Sequence, residues 1–205
     1  MACNSGDIES CWEVDPGLTC LVLRNKEING EETARIKSLL SHSTLTNLKL
    51  ENCNINDDTA AYLAPALSSC WLSSFFLRNN KIGGRGIAEI VTALLLNSTL
   101  TALDLSSNLL GAEGAFEVSK LLSTSSTLTT LAIHYNNIGD EGAFYILNAV
   151  SSNPSLVTLY LGTNSVSGRM ASQLALCVSR NQHNSQRRSA TLLGLLFKQL
   201  GFVQM

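Results

Sequence analysis

The chain has 205 residues, 45% of them hydrophobic and 15% charged, with 14 Lys and Arg against 16 Asp and Glu for a net charge of -2. That apolar content is enough for one folded unit with a continuous core. The near-balanced charge argues against an electrostatic grip on nucleic acid or an acidic membrane, so a partner has to be recognised by local pattern.

The first residues, MACNSGDIES, lack the basic start and apolar run of a secretory signal, and no later stretch is long and uncharged enough to span a bilayer. A cytoplasmic protein that does not contact membrane is the expectation. Residues 1–17 read as an N-terminal cap, with Trp12 and Val14 ahead of the first strand and a turn at Pro16 and Gly17. The six cysteines, at positions 3, 11, 20, 53, 70 and 177, have no C-x-x-C pair and no histidine at ligand spacing, which favours reduced structural thiols over a metal site.

From Leu18 onward the chain repeats itself. Copies start at Leu18, Leu45, Leu72, Leu100, Leu128 and Leu156, separated by 27 or 28 residues with no insertion. Compare LTALDLSSNLLGAEGAFEVSKLLSTSST, from Leu100, with LTTLAIHYNNIGDEGAFYILNAVSSNPS, from Leu128. The first half of each copy alternates, as Leu103 and Leu105 do around Asp104, which predicts a short strand. The second half follows helical spacing, as in Ala115, Val118, Leu121 and Leu122, entered through Gly111 and Gly114. No single unit can bury its own apolar side, but stacked units bury one another's. The predicted architecture is therefore α/β: a right-handed βα solenoid bent into a horseshoe segment, with parallel strands on the concave face and helices on the convex face.

A polar column accompanies the leucines: Lys26, Cys53, Asn80, Asn108, Asn136 and Asn164. At the turn after each strand these amides are placed to bond backbone groups of neighbouring coils. Lys26 breaks the column, as expected of an end repeat facing solvent. Beyond the sixth copy, which runs to residue 183, residues 184–205 read as a C-terminal capping segment. The polar run RNQHNSQRRS leads there into ATLLGLLFKQLGFVQM, a stretch with helix-compatible apolar spacing suited to covering the last repeat, or else to docking on a partner or membrane surface.

The segments LDLSSNLLGAEGA and LAIHYNNIGDEGA closely resemble the ribonuclease-inhibitor type of leucine-rich repeat, which also occurs in NOD-like immune receptors, tropomodulins and Ran GTPase-activating proteins. The resemblance covers residues 18 to about 183 and implies a fold more than a function. It implies a non-enzymatic interaction module or scaffold that holds a protein partner, of unknown identity, on its concave face, as a monomer or weak dimer. Two alternatives follow from the same resemblance: a GTPase activator of the Ran type, and a ligand-sensing arm related to NOD-like receptors. The acidic tail typical of the Ran activators is replaced here by Arg187, Arg188 and Lys198, and the receptors' nucleotide-binding domain is missing from this sequence.

Function is expected at strand positions that stacking leaves free. One column carries Val22, Lys49, Phe76, Asp104, Ala132 and Tyr160; a second carries Arg24, Glu51, Arg78, Ser106, His134 and Gly162; a third carries Asn25, Asn52, Asn79, Ser107, Tyr135 and Thr163. The candidate protein-binding residues are Arg24, Lys49, Glu51, Phe76, Arg78, Asp104, His134, Tyr135 and Tyr160. Phe76, Arg78, His134, Tyr135 and Tyr160 form the preferred contact patch, because exposed aromatics with arginine are the composition of binding hot spots. No nucleophile, phosphate-loop or zinc-protease motif is present, so no catalytic, cofactor or metal site is assigned. The glycines of Gly83-Gly84-Arg85-Gly86 serve close packing at a strand-to-helix turn. His134 beside Asp104 reads as a surface ion pair, and Asn97-Ser98-Thr99 matches a glycosylation acceptor that no secretory signal supports.

Overall fold

A computed structural model describes residues 2–4, 18–42 and 44–199, with the side chains of 2–4, 42, 188 and 190–199 left aside. Strands β1 (Ala2–Asn4), β2 (Cys20–Arg24), β3 (Asn47–Glu51), β4 (Ser74–Phe76), β5 (Ala102–Asp104), β6 (Thr130–Ala132) and β7 (Thr158–Tyr160) form one parallel sheet in chain order. Between them run helices α1 (Gly30–His42), α2 (Asp57–Leu67), α3 (Gly84–Leu94), α4 (Gly111–Thr124) and α5 (Gly139–Ser152), and α6 (Gly168–Gln199) follows β7. Each helix from α1 onward packs on the next, so sheet and helix layers advance together. This is the predicted α/β solenoid.

The core lies between the two layers. On the sheet side it takes the inward strand residues, Leu48, Phe75, Leu103 and Leu131, and the leucines that open each copy, Leu45, Leu72, Leu100, Leu128 and Leu156. On the helix side Ala115, Val118, Leu121 and Leu122 are all buried, as their spacing predicts. Glycine is required where α4 and α5 close on the turn before them. A Cβ on Gly142 would stand 2.8 Å from the Ile138 Cβ and 2.9 Å from the Ala115 Cβ, well inside contact distance.

The asparagine column behaves as its chemistry predicts. Asn108 Oδ1 accepts from the Ile82 N–H at 3.1 Å, while its Nδ2 donates to the carbonyls of Leu77, Leu105 and Ser106 at 3.0 to 3.2 Å. Asn136 does the same one copy later, accepting from Asn108 N–H and donating to Leu105 and Ile133. Cys53 fills the column earlier with a thiol that donates to the Leu23 and Glu51 carbonyls, and burial pushes that thiol up to about 11. Among the described residues no buried side-chain nitrogen or oxygen lacks a partner.

Two features differ from expectation. The first repeat is not the edge of the sheet, because Ala2–Asn4 pairs in parallel with Cys20–Val22. Lys26 is accordingly not simply turned to solvent: it forms an ion pair with Glu32, whose side chain is nearly buried. Glu32 also closes a capping box at the start of α1, since its N–H donates to Asn29 Oδ1 at 2.9 Å and its carboxylate accepts from the Asn29 N–H at 3.0 Å. Trp12, Val14, Pro16 and Gly17 lie outside the described residues.

At the other end, the polar run RNQHNSQRRS does not interrupt the chain's helix. The last repeat's helix continues through it to Gln199, over 32 residues where the earlier helices have 11 to 14. At 1.5 Å per residue that is about 48 Å, so residues 184–199 extend the last repeat's helix instead of starting a separate one. Asn181 explains the change locally. It stands where Asn97 and Asn153 end their helices, but three residues later, in place of the leucine that opens a new copy, the chain has Asn184. No further strand is called for, and the helix runs on.

Two outcomes are expected. Asn108→Leu strands the Ile82 N–H and unpairs the carbonyls it served, at a cost of about 2 kcal/mol or more, which lowers the melting temperature by roughly 4 °C or more in thermal denaturation. An unchanged melt would remove the ladder from the account. For Glu32, burial alone would raise the carboxyl's pKa, but the hydrogen bonds from Lys26 and Asn29 and the charges of Lys26 and Arg35 outweigh it and hold it below its usual value. A carboxylate depressed in the folded state stabilises above its unfolded pKa and loses that contribution as pH falls through the folded value. Glu32→Gln is therefore expected to be less stable than wild type at neutral pH, with the two denaturation midpoints converging as the solution is acidified below the ordinary glutamate range.

Candidate functional site

Parallel register places the outward strand residues in rows. Lys49, Phe76, Asp104, Ala132 and Tyr160 are successive partners across β3 to β7, and Arg24 pairs in register with Glu51. With strands about 4.8 Å apart, Arg24, Lys49, Glu51, Phe76, Asp104 and Tyr160 share one face of the sheet; Arg78, His134 and Tyr135 follow the ends of β4 and β6, and all nine are exposed or half-buried.

Their surroundings divide the face in two. On β2 to β4, Arg24 grips Glu51 through two contacts, 3.0 Å from Nε and 3.3 Å from Nη2, and the Lys49 ammonium lies 4.8 Å from the centre of the Phe76 ring. Arg78 stands beside them with no ion-pair partner among the described residues. Arg24, Glu51 and Arg78, with Asn25, Asn52 and Asn79, line a groove of about 340 Å³. On β6 and β7 the face is carried by His134, Tyr135 and Tyr160, the two tyrosines more than half exposed. The preferred five-residue patch is thus brought onto one surface but not into one cluster, since Asp104 on β5 stands between Phe76 and the histidine side.

Four sequence readings change in the structure. Ser106 was expected to face solvent and is fully buried. His134 does not pair with Asp104: its Nδ1 meets Ser106 Oγ at 3.0 Å, while Asp104 Oδ1 accepts from the Ser106 backbone N–H at 2.8 Å. The serine inserts itself between the two, its hydroxyl on the imidazole and its backbone N–H on the carboxylate. Val22 and Ala132 are also buried, small side chains in a row of larger ones. Asn97, the apparent glycosylation acceptor, spends its amide inside the protein: Nδ2 donates to the Leu67 and Cys70 carbonyls and Oδ1 accepts from Thr99 and Leu100 N–H. Asn153 makes the same four contacts one repeat pair later, and Asn181 donates to Asn153 and Leu156, so a second ladder of amides binds the other edge of the stack. Its signal was available in the sequence as polar residues three places before each opening leucine.

The third column holds a backbone feature that composition does not announce. Asn25, Asn52, Asn79, Ser107, Tyr135 and Thr163 all have φ between 54° and 57°, the left-handed region. Asparagine accepts this conformation readily, and the three asparagines also bond side chain to side chain along the column, at 2.9 and 3.0 Å. A tyrosine there is strained. Tyr135 stacks edge-on against His134, ring centres 5.6 Å apart, and otherwise points into solvent.

Two stretches, residues 96–119 and 124–147, match the family model described as Leucine Rich repeat. The solenoid is built of leucine-rich repeats. Among solved structures, Leiomodin-1 Actin-Binding Site 2 superposes with a TM-score of 0.70 at 21% identity, covering 81% of this chain and 96% of that one. The tropomodulin C-terminal domain of Caenorhabditis elegans gives a TM-score of 0.58 at 18% identity, covering 90% of this chain and 99% of that one. Likeness at such identity is one of fold, and it agrees with the ribonuclease-inhibitor type of repeat seen in the sequence. No curated protein matches the chain. Among the described residues of this leucine-rich-repeat chain, no group of three His, Cys, Asp or Glu is placed to hold a metal ion, and no helix is long and apolar enough to cross a membrane.

Strain at Tyr135 gives a direct test. Tyr135→Asn keeps the left-handed turn, relieves about 1 kcal/mol of backbone strain and gives up little burial. It is expected to raise the midpoint in urea denaturation; a lowered midpoint would mean that the ring contributes more to stability than the backbone loses.

Proposed function

We propose that this leucine-rich-repeat chain is a non-enzymatic interaction module that binds a protein partner on its concave sheet face. The observation that carries the reading is the set of outward strand residues that the stack does not use. Among the described residues Arg78 and Lys49 form no ion pair, Lys49 lying over the Phe76 ring, and Tyr135 and Tyr160 are exposed. Tyr135 adds weight because the stack imposes a left-handed backbone there that favours asparagine, so the choice of a tyrosine calls for a reason of its own. Partner recognition is such a reason, since stacking alone would be served better by the asparagine found three times in the same column.

The face has the make-up of a small, specific protein interface. Aromatic anchors and arginine stand in rows set by strand pairing, so a partner would have little of the site to order on binding. The charged half, with Arg24, Lys49 and Arg78 against Glu51, suits a partner surface that presents carboxylates. The tyrosine half suits an apolar or mixed surface. Actin is the first partner to try, because one structure of similar fold is named as an actin-binding site.

The test compares wild type with Phe76→Ala, Tyr160→Ala in pull-down from native extract and in co-sedimentation with filamentous actin, folding being checked by circular dichroism. The double variant is expected to lose partners that the wild type retains, with affinity down about tenfold or more. Identical partner sets from equally folded proteins would take the function off the concave face.

A further inference from the structure

The convex side carries a feature that stacking does not require. Phe116 on α4 and Phe144 on α5 are 42% and 50% exposed, and Tyr145 joins them: its ring centre lies 5.1 Å from Phe116, edge to face, and 6.3 Å from Phe144. Copies of the repeat lie 28 residues apart here, and the positions corresponding to Phe116 on the flanking helices are Ala88 and Ser172. Single exposed apolar residues are ordinary on a protein surface, but here Tyr145 joins the two phenylalanines into one patch.

The rim of the patch is acidic. Glu113 lies one turn before Phe116, and Glu141 one turn before Phe144 and Tyr145, on the same helix faces. With Asp140 these carboxylates are exposed, and among the described residues none of the three forms an ion pair. Glu141 accepts the Tyr145 hydroxyl at 3.1 Å and Asp140 accepts the Ser167 N–H, neither of which cancels charge. Lys120, 4.6 Å from the centre of the Phe116 ring, is neutralised by Glu117 at 2.8 Å. Arg85 on α3 and Arg169 on α6 hold the repeat position of Glu113 and Glu141 on the two flanking helices; Arg85 is engaged by Asp57 and Asp58, so the rim, three carboxylates against Arg169, stays net negative.

We infer that the aromatic patch on α4 and α5 is a second docking surface, and that its occupant is a basic amphipathic helix of a partner protein. The partner would lay apolar side chains over Phe116, Phe144 and Tyr145 and direct Lys or Arg at Glu113, Asp140 and Glu141. Charge decides against other occupants. A second copy of this chain would bring the same acidic rim against itself, and an anionic lipid surface would be repelled. A helix suits the site because the rings lie on two neighbouring helices, α4 and α5, and helix faces pack on one another through such rows of side chains.

The probes are a synthetic amphipathic helix with leucine on one face and lysine on the other, and its twin with glutamate for every lysine, each titrated calorimetrically into the whole chain. The lysine peptide is expected to bind, more weakly as salt is raised, and the glutamate peptide not to bind. Phe116→Ser with Phe144→Ser is expected to weaken the lysine peptide about tenfold or more. Glu113→Lys with Glu141→Lys, which leaves the rings in place, is expected to do the same, and Phe76→Ala with Tyr160→Ala to leave binding unchanged. The inference is overturned if neither peptide binds, if both bind alike, if the convex variants bind as wild type does, or if the concave variant abolishes binding.

Discussion

Everything in this molecule depends on how the backbone polar groups are satisfied at the turn that follows each strand. There the chain leaves the sheet, so its N–H and C=O groups lose their ladder partners while still buried, and an unpaired buried group costs about 1–3 kcal/mol. The side-chain amides of Asn80, Asn108, Asn136 and Asn164 meet that need by reaching one copy back. Each accepts from a backbone N–H of the preceding copy and donates to carbonyls of both. An amide suits the place because it is a donor and an acceptor at once; leucine would fill the space and satisfy nothing. The spacing of 27 or 28 residues is therefore a hydrogen-bonding constraint as well as a packing one. The column stands eight residues after the opening leucine in every copy, and the one-residue difference between spacings of 27 and 28 falls in the remainder of the copy.

That constraint explains why so much of the fold is legible in the sequence. The leucine alternation, the helical spacing around Ala115 and Leu121 and the asparagine column all describe groups buried on one side, and one-sided burial is what leaves a period behind. The same reasoning explains the omissions. The strand Ala2–Asn4 is three residues long and belongs to no copy, so it has no period to show. The helix beyond Asn181 passes through RNQHNSQRRS, where residues 182 to 187 are exposed, and a helix segment wetted all round looks like a loop to any search for an apolar face. Lys26 looked like a solvated end because the column gave no hint of its partner, Glu32, six residues on.

The candidate site was legible in its rows and not in its chemistry. Sequence register placed Lys49, Phe76, Asp104 and Tyr160 side by side, and they are side by side. It could not distinguish Ser106, which turns inward, from Arg78, which turns outward, though the two occupy one column. Nor did it pair His134 with Ser106 in preference to Asp104, since all three are within reach of one another across neighbouring strands and side-chain direction decides among them. The left-handed turn was half legible. Asn25, Asn52 and Asn79 signal it, but the chain keeps the conformation at Tyr135 and Thr163 after the asparagine is gone. Five neighbours hold the same dihedral in register, and the sixth must follow them whatever its side chain. The stack imposes the backbone, which leaves the side chain free to be chosen for another purpose.

The same logic separates the two faces. On the sheet side, residue choice is limited by short strands whose alternate positions belong to the core, so the free surface comes in narrow columns. On the convex side, each helix offers a wider exposed strip with its own neighbours, and substitutions there leave both amide ladders untouched. Phe116, Phe144 and Tyr145 sit on that strip, with the buried core between them and Tyr160 or Phe76. A ligand on one face does not obstruct the other, and a core packed this closely transmits little displacement unless it has a second arrangement to adopt. Two occupied faces would then be independent in affinity and fixed in relative orientation, which is the physical meaning of a scaffold.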